Sequence, residues 1–297
     1  MKSTTIKLAF IILLCTFVFS SAQAQMEKED IGLEYSFIGS GNAEENNEVS
    51  FNKVTAKGTL YRKITRKGAL YFQNVSYSSI NINYSDNLPI ANELEHFQTI
   101  GYSVGASLPM KNNWRITGVF MPTLASNFEG SLKLSDLRIL GIVFLGKHIN
   151  QSKSLYLNFG AMYSNTFGGT QALPYFSLAW NMNEKFKFEL GFPTTGVTYK
   201  VSEKLSFGSK LFISGDNLTL GDDITAEGSS TAIDNIRISN FGWGLDLKKK
   251  FSKHLTVKLA GGYTFSRKFE FNDGSEVVRD FKLDNNFYTN IGLSISF

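Results

Sequence analysis

The sequence predicts an all-β fold, a transmembrane up-and-down antiparallel β-barrel of about 14 strands with 12 as the fallback. Three observations predict it. Apolar residues alternate at a period of two over long stretches, the connections between those stretches alternate in kind, and no apolar run beyond the N-terminal segment is long enough to form a membrane-crossing helix, which needs about 20 residues.

The N-terminal segment reads as a signal peptide. Lys2 and Lys7 form a basic start, Leu8 to Ser20 is mostly apolar, and Ala22-Gln23-Ala24 supplies the small-x-small pattern of a cleavage site. Residues 1–24 are expected to be cleaved, leaving 25–297 as an exported outer-membrane β-barrel domain. A lipoprotein signal at Cys15 is disfavoured, because Leu14 stands where a small residue is required. Cys15 is the one cysteine of the chain, so no disulfide framework is available.

Along the remaining chain the period of two is plainest at the C-terminus. Phe287, Thr289, Ile291, Leu293, Ile295 and Phe297 alternate with Tyr288, Asn290, Gly292, Ser294 and Ser296, one face apolar and the other polar or small. The same rhythm runs through Val257, Leu259, Gly261, Tyr263 and Phe265, through Phe241, Trp243, Leu245 and Leu247, through Phe176, Leu178 and Trp180, and through Ile100, Tyr102, Val104, Ala106 and Leu108. Leu70 to Tyr84 and Leu137 to Leu145 choose no face clearly. Turn residues delimit strands at 31–39, 50–64, 69–84, 95–108, 114–124, 134–146, 154–165, 173–182, 186–192, 195–201, 205–220, 232–248, 254–270 and 282–297. The weakest pair flanks Gly191 to Gly196.

Connections after even-numbered strands are mostly short and basic, as in Arg66-Lys67-Gly68, Asn183-Glu184-Lys185 and Ser202-Glu203-Lys204. Those after odd-numbered strands are mostly longer and often acidic, carrying Glu44, Glu45 and Glu48, then Asp86 and Glu93, then Asp222, Asp223 and Glu227, and finally Asp273, Glu276 and Asp280. Such alternation is what a barrel gives when every second connection lies on the same side of a membrane. A soluble periplasmic β-protein is the competing reading. Sandwich strands run about 5–6 residues, whereas several here alternate over the length of a tilted bilayer-crossing strand. Backbone groups in hydrocarbon must pair within the protein, and a closed barrel does this without an edge. An even strand count with both termini on the periplasmic side follows. Phe297, on the lipid-facing parity, resembles the C-terminal signal read by the bacterial outer-membrane barrel assembly machinery. Outer-membrane lipid and that machinery are the expected partners.

Ile31-Gly32-Leu33-Glu34-Tyr35-Ser36, Ile82 to Pro89, Leu124-Ala125-Ser126-Asn127-Phe128, Leu173-Pro174-Tyr175-Phe176, Leu190-Gly191-Phe192-Pro193 and Phe251-Ser252-Lys253-His254-Leu255 occur in an order that resembles the outer-membrane β-barrel family catalogued as domain of unknown function 6268. The resemblance spans nearly the whole chain after the signal segment. It implies a fold and a location, and no substrate or catalytic residue.

Chemistry is then sought in the lumen and at the rim. Strand parity turns Glu34, Lys53, Lys57, Arg115, Lys187, Glu189, Lys200, Lys210, Asp246 and Lys258 inward. Bases exceed acids in that set, which suits passive passage or binding of a small solute through a mildly anion-favouring lumen. The alternative is that these groups pair across the bore and fill it. Tyr156, Tyr175, Phe51, Tyr61 and Phe212 share the inward parity, as a stacking slide or as interior packing. A barrel that anchors acidic partner-binding loops, as a receptor or adhesin, is a second reading.

Composition and motifs exclude more than they select. A net charge of +4 with no charge run gives no reason to expect nucleic acid. A rim lipase would need a Ser, a His and an orienting residue together. Of the three His, His148 and His254 fall in short turns and His96 at the opposite rim, with no spacing that selects a partner, so no enzyme is expected. Scattered His and no Cys after Cys15 leave no zinc pattern. Asp222-Asp223 with Glu227, and Glu44-Glu45 with Glu48, lack the full calcium-loop pattern. No metal and no cofactor is expected.

Overall fold

The computed structural model describes residues 30–44, 47–85, 94–225 and 231–297. The expected signal segment, residues 45–46, and the loop residues Asp86, Glu93 and Glu227 lie outside the described residues. The strands are β1 (Ile31–Glu44), β2 (Asn47–Ile64), β3 (Leu70–Tyr84), β4 (His96–Pro109), β5 (Trp114–Ser126), β6 (Leu137–His148), β7 (Leu155–Phe167), β8 (Gly169–Asn181), β9 (Phe186–Gly191), β10 (Thr194–Lys200), β11 (Leu205–Thr225), β12 (Ala232–Lys250), β13 (Leu255–Asp273), β14 (Glu276–Leu283) and β15 (Asn286–Ile295).

Each strand from β1 to β13 pairs antiparallel with the next, and β15 closes the ring by pairing with both β13 and β1. Strand β13 meets β15 over Leu255–Thr264 and β14 over Arg267–Asp273. Strands β14 and β15 are therefore two halves of one stave, broken at Asp284 and Asn285, and the barrel has 14 staves. The weak pair at Gly191 to Gly196 is β9 and β10, joined through Phe192 and Pro193.

Alternation decides what each face of a strand meets. Leu33, Tyr35, Val54, Tyr77, Ile100, Phe120, Val143, Phe159, Phe176, Trp243, Leu245 and Ile291 stand exposed on the outside, forming the apolar belt that lipid covers. Towards one end the outer face turns polar: Asn81 donates to Asn52 (3.0 Å), His96 Nδ1 donates to Asn81 (2.7 Å), and the Tyr77 hydroxyl donates to Gln98 (3.0 Å). The strands thus outrun the lipid belt at this end, called here the loop end. The short connections lie at the other, the turn end.

Above the belt the barrel narrows into a cap. The loop ends of β6–β10 stop low, and β11 leans over them to meet β5, with Thr219 opposite Ser126 in parallel register. Asn127 N–H donates to the Thr219 carbonyl (3.2 Å), Gly221 N–H donates to Asn127 Oδ1 (2.8 Å), and Arg138 Nη2 donates to Thr219 Oγ1 (2.7 Å). The β7–β8 turn packs beneath β11 at Gly215, where a Cβ would come within 2.5 Å of the Asn165 carbonyl oxygen. Glycine is required for that approach.

Inside the cap lies the apolar core of the molecule: Val49 and Phe51 (β2), Ile80 and Ile82 (β3), Phe97 (β4), Leu218 and Leu220 (β11), Ile236 and Ile238 (β12), Phe269 and Phe271 (β13), and Phe281 and Leu283 (β14). Aromatic rings meet across the bore, Phe51 with Phe269 at 5.8 Å edge-to-face and Tyr84 with Phe269 at 6.1 Å. The core explains why Leu70 to Tyr84 showed no clear face. Its outward residues are apolar where they meet lipid, and its inward residues Ile80 and Ile82 are apolar because they fill the cap.

Two expectations need correction. Strands β1, β2, β11 and β13 run further towards the loop end than their sequence bounds, and the stretch after β13 read as a loop is a tight β13–β14 hairpin. Tyr61 does not face the lumen. A register shift between Thr59 and Tyr61 adds a residue to β2, and the Tyr61 side chain emerges on the outer face. A bulge of this kind resets strand parity.

Candidate functional site: the barrel lumen

Below the cap the inward face is polar, and most of its charged groups are held in pairs. Lys53 on β2 reaches across the bore to Asp216 on β11 at 2.7 Å. Glu34 accepts from Asn290 Nδ2 at 2.7 Å, stands 3.4 Å from the Lys57 ammonium, and feels Lys258 as a second positive neighbour. Lys210 and Asp246 face each other from β11 and β12 at 3.1 Å. Lys187 and Glu189, two apart on the same face of β9, pair at 2.6 Å.

The other two candidates lie at the turn end. Arg115 donates to the Ser107 hydroxyl (3.2 Å), the Ser107 carbonyl and the Gly68 carbonyl (both 3.0 Å), and so ties β5 to β4 and to the β2–β3 turn. Lys200 ends β10 at the rim.

The structure therefore gathers Glu34, Lys57 and Lys258 into one group and places Lys53, Lys210 and Asp246 in struts of the bore. It leaves Lys187 with Glu189 as a local pair, and sets Arg115 and Lys200 apart.

The inward aromatics pack in pairs. Phe212 meets Tyr288 edge-to-face at 4.9 Å, Tyr175 meets Phe144 at 5.2 Å, and Tyr156 meets His148 at 4.7 Å. Phe51 belongs to the cap core. Among the described residues these rings form separate pairs and no continuous stacking slide.

At the opposite rim His96 is exposed on the outer face, its Nδ1 on Asn81 and its Nε2 3.9 Å from Glu95. Neither partner is the hydroxyl that a lipase would require. Among the described residues no three His, Cys, Asp or Glu side chains converge as a metal site.

Two residues outside the sequence candidates define the boundary between lumen and cap. Asp216 shares the inward parity of Lys210 and Phe212, so the period of two could have found it. Arg267 could not be found that way. The register with β12 shifts between Phe265 and Lys268, with Ser266 at φ 54°, and this bulge turns Arg267 inward. There it is buried, its Nη1 donates to the Asp284 carbonyl (2.7 Å), and its guanidinium lies 5.7 Å from the Phe51 ring centroid. Its Nε and Nη2 are buried without a hydrogen-bond partner among the described residues. Burial pulls its pKa down to about 10, with Asp284 opposing.

A family model described as a domain of unknown function (DUF6268) matches residues 21–296. No curated protein matches the sequence. Among solved structures, the COG4313 outer membrane channel from Pseudomonas putida F1 is similar over 94% of this chain and 99% of its own, at 11% identity and TM-score 0.46. The KdgM porin in complex with disordered oligogalacturonate aligns over 90% of this chain and 99% of its own, at 10% identity and TM-score 0.35. The Pseudomonas putida toluene transporter TodX aligns over 92% and 90%, at 9% identity and TM-score 0.39. Likeness at this level carries nothing about solute or mechanism.

Proposed function

We propose, for a chain that belongs to the DUF6268 family, that this outer-membrane β-barrel takes up a small solute passively through its polar, mildly basic lumen. The cap is then the barrier at the loop end. The observation that carries this reading is the division of the interior into a polar, charge-lined chamber and an apolar seal. A barrel serving only as an anchor has no need to keep Lys57, Lys258 and their neighbours facing a bore beneath a dry core. Buried apolar side chains exclude water and ions, so passage requires the cap to shift, while the lysines below lower the barrier for anions.

The same reading assigns residues 1–24 as a cleaved export signal, residues 25–297 as the barrel domain, and Phe297 as the residue read by the assembly machinery. The chain's own residues supply orientation and electrostatics, with no cofactor and no catalytic step.

Single-channel recording of the refolded barrel in a planar bilayer under a salt gradient tests the reading. Brief, infrequent steps with anion preference are expected. Lys57→Glu should shift the reversal potential towards cations, because it replaces a positive lumen charge beside Glu34 with a negative one. Steps with no anion preference in the wild type, or an unmoved reversal potential in the variant, would overturn the proposal.

A further inference from the structure

One side of the lumen wall is filled and the other is hollow. From β6 round to β15 the interior holds the Phe144–Tyr175, Tyr156–His148 and Phe212–Tyr288 ring pairs and the Lys210–Asp246 ion pair. Along β1 to β5 one row of inward residues, Gly32, Ser76, Gly101, Ser103 and Thr123, is short, and a cavity of about 360 Å³ lies against it. Gly32, Lys57, Ser76, Gly101, Ser103 and Thr123 define it, with Asp30 at its turn-end edge.

Register explains why these five strands make one wall. Gly32 stands opposite Lys57, Lys57 opposite Ser76, Ser76 opposite Gly101, and Gly101 opposite Thr123. They form a continuous row across the sheet. The hollow depends on Gly101, where a Cβ would fall 2.6 Å from the Ser76 hydroxyl.

The lining combines apolar surface, including Met121, with a row of polar side chains. Ser76, Ser103 and Thr123 present hydroxyls, each able both to donate and to accept, and Asn74 adds an amide that donates to Ser103 (3.3 Å). Tyr102, the aromatic residue at the cavity, has an exposed side chain on the lipid-facing parity, so the hollow has no stacking surface for an aromatic solute. Its two charged residues differ in how they are held. Asp30 Oδ2 accepts from the Phe297 N–H at 2.6 Å. The Lys57 ammonium is 3.4 Å from Glu34 and more than half exposed, longer than the 2.7–2.9 Å of a tight charge-assisted bond. It can turn towards an anion in the cavity without breaking a strong pair. The volume is at the lower end of ligand pockets, about 300–1,000 Å³, and suits a single small unit rather than a chain.

We propose that this hollow is a binding subsite for a small polyhydroxylated carboxylate, with Lys57 meeting the carboxylate and the Ser76, Ser103 and Thr123 hydroxyls meeting the solute's hydroxyls. This inference rests on the solute-uptake reading above and names its substrate class. The absence of an inward aromatic ring disfavours an aromatic solute, and the single loosely held cation disfavours a multiply charged one.

Isothermal titration of the refolded full barrel in detergent, with gluconate, sorbitol and acetate as probes, tests it. Gluconate should bind at least about tenfold more tightly than sorbitol or acetate. Lys57→Gln should reduce gluconate to the affinity of sorbitol, and Thr123→Val should weaken gluconate and sorbitol alike. Gly101→Val, which fills the hollow, should abolish binding. The heat-modifiable electrophoretic shift of a folded barrel checks each variant, and Thr123→Val keeps the test decisive if Gly101→Val fails to fold.

Absence of gluconate binding, equal affinity for gluconate and acetate, or binding untouched by Lys57→Gln and Thr123→Val would each overturn the subsite. An anion-selective channel that binds no gluconate would remove the subsite and keep solute uptake. A barrel that binds gluconate yet conducts without anion preference would keep the subsite and remove the uptake reading.

Discussion

At the scale of single residues, Arg267 is the costliest side chain in the cap. A buried donor left unpaired costs about 1–3 kcal/mol, and Arg267 leaves two such atoms, with its guanidinium against the Phe51 ring. Its pKa of about 10 lies below the ordinary guanidinium value, so below pH 10 the guanidinium is charged in both folded and unfolded states and the burial penalty is present in full. The penalty fades only as pH rises above about 10 towards the ordinary guanidinium value. Arg267→Met, which keeps the length and removes the charge, is therefore expected to stabilise the closed cap at pH 7. Hydrogen exchange of the Ile236 and Phe271 amides should slow by about tenfold, and faster exchange would show that the Asp284 carbonyl bond outweighs the unpaired atoms.

At the scale of elements, the bulge on β13 decides whether a cap exists. Below it Tyr263 faces lipid and Thr264 faces in; above it Arg267, Phe269 and Phe271 face in, and Lys268 faces out to Glu270 and Asp280 at 3.6 and 3.8 Å. Inserting one residue between Arg267 and Lys268 would shift every later position by one and turn Phe269 and Phe271 outward. The expected result is a barrel that keeps its heat-modifiable shift while the β13–β14 hairpin becomes protease-sensitive; a protease-resistant cap would mean that the strand re-registers elsewhere. The β2–β11 strut is the second element-level control. Lys53→Met leaves Asp216 without its partner at the cap's lower edge, and openings in bilayer recordings are expected to become several-fold more frequent. The exchanged pair Lys53→Asp with Asp216→Lys should return the wild-type frequency, since partners in contact are coupled.

At the scale of the whole molecule, one chain builds two solvents for itself. The belt of outward Leu, Tyr, Phe and Trp side chains is stable only against hydrocarbon, whereas the cap buries its own apolar core and presents Asn52, Asn81, His96, Lys268 and Asp280 to water. Chain closure at the turn end falls to the last residue, whose N–H is held by Asp30. Removing Phe297 is expected to lower the amount of assembled barrel in cells while refolding in detergent proceeds, because recognition by the assembly machinery is lost and the β1–β15 pairing over Ile31–Ile38 remains. Equal assembly in cells would dismiss its role as a signal.

The all-β class and the 14 staves were legible in the residue pattern, as was the shared parity of Lys53, Lys57, Lys210, Asp246 and Lys258. These follow from a local period of two, which any strand carries in its own residues. Long-range pairing and bulges, not that period, bring β11 to β5 and Lys53 to Asp216, seat Phe51 in a sealed core, turn Tyr61 outward and open a hollow beside Gly101. The physical reason is that one extra residue at a bulge reverses a face without disturbing composition, and that pairing across a bore depends on strands distant in the chain being brought together by closure of the sheet.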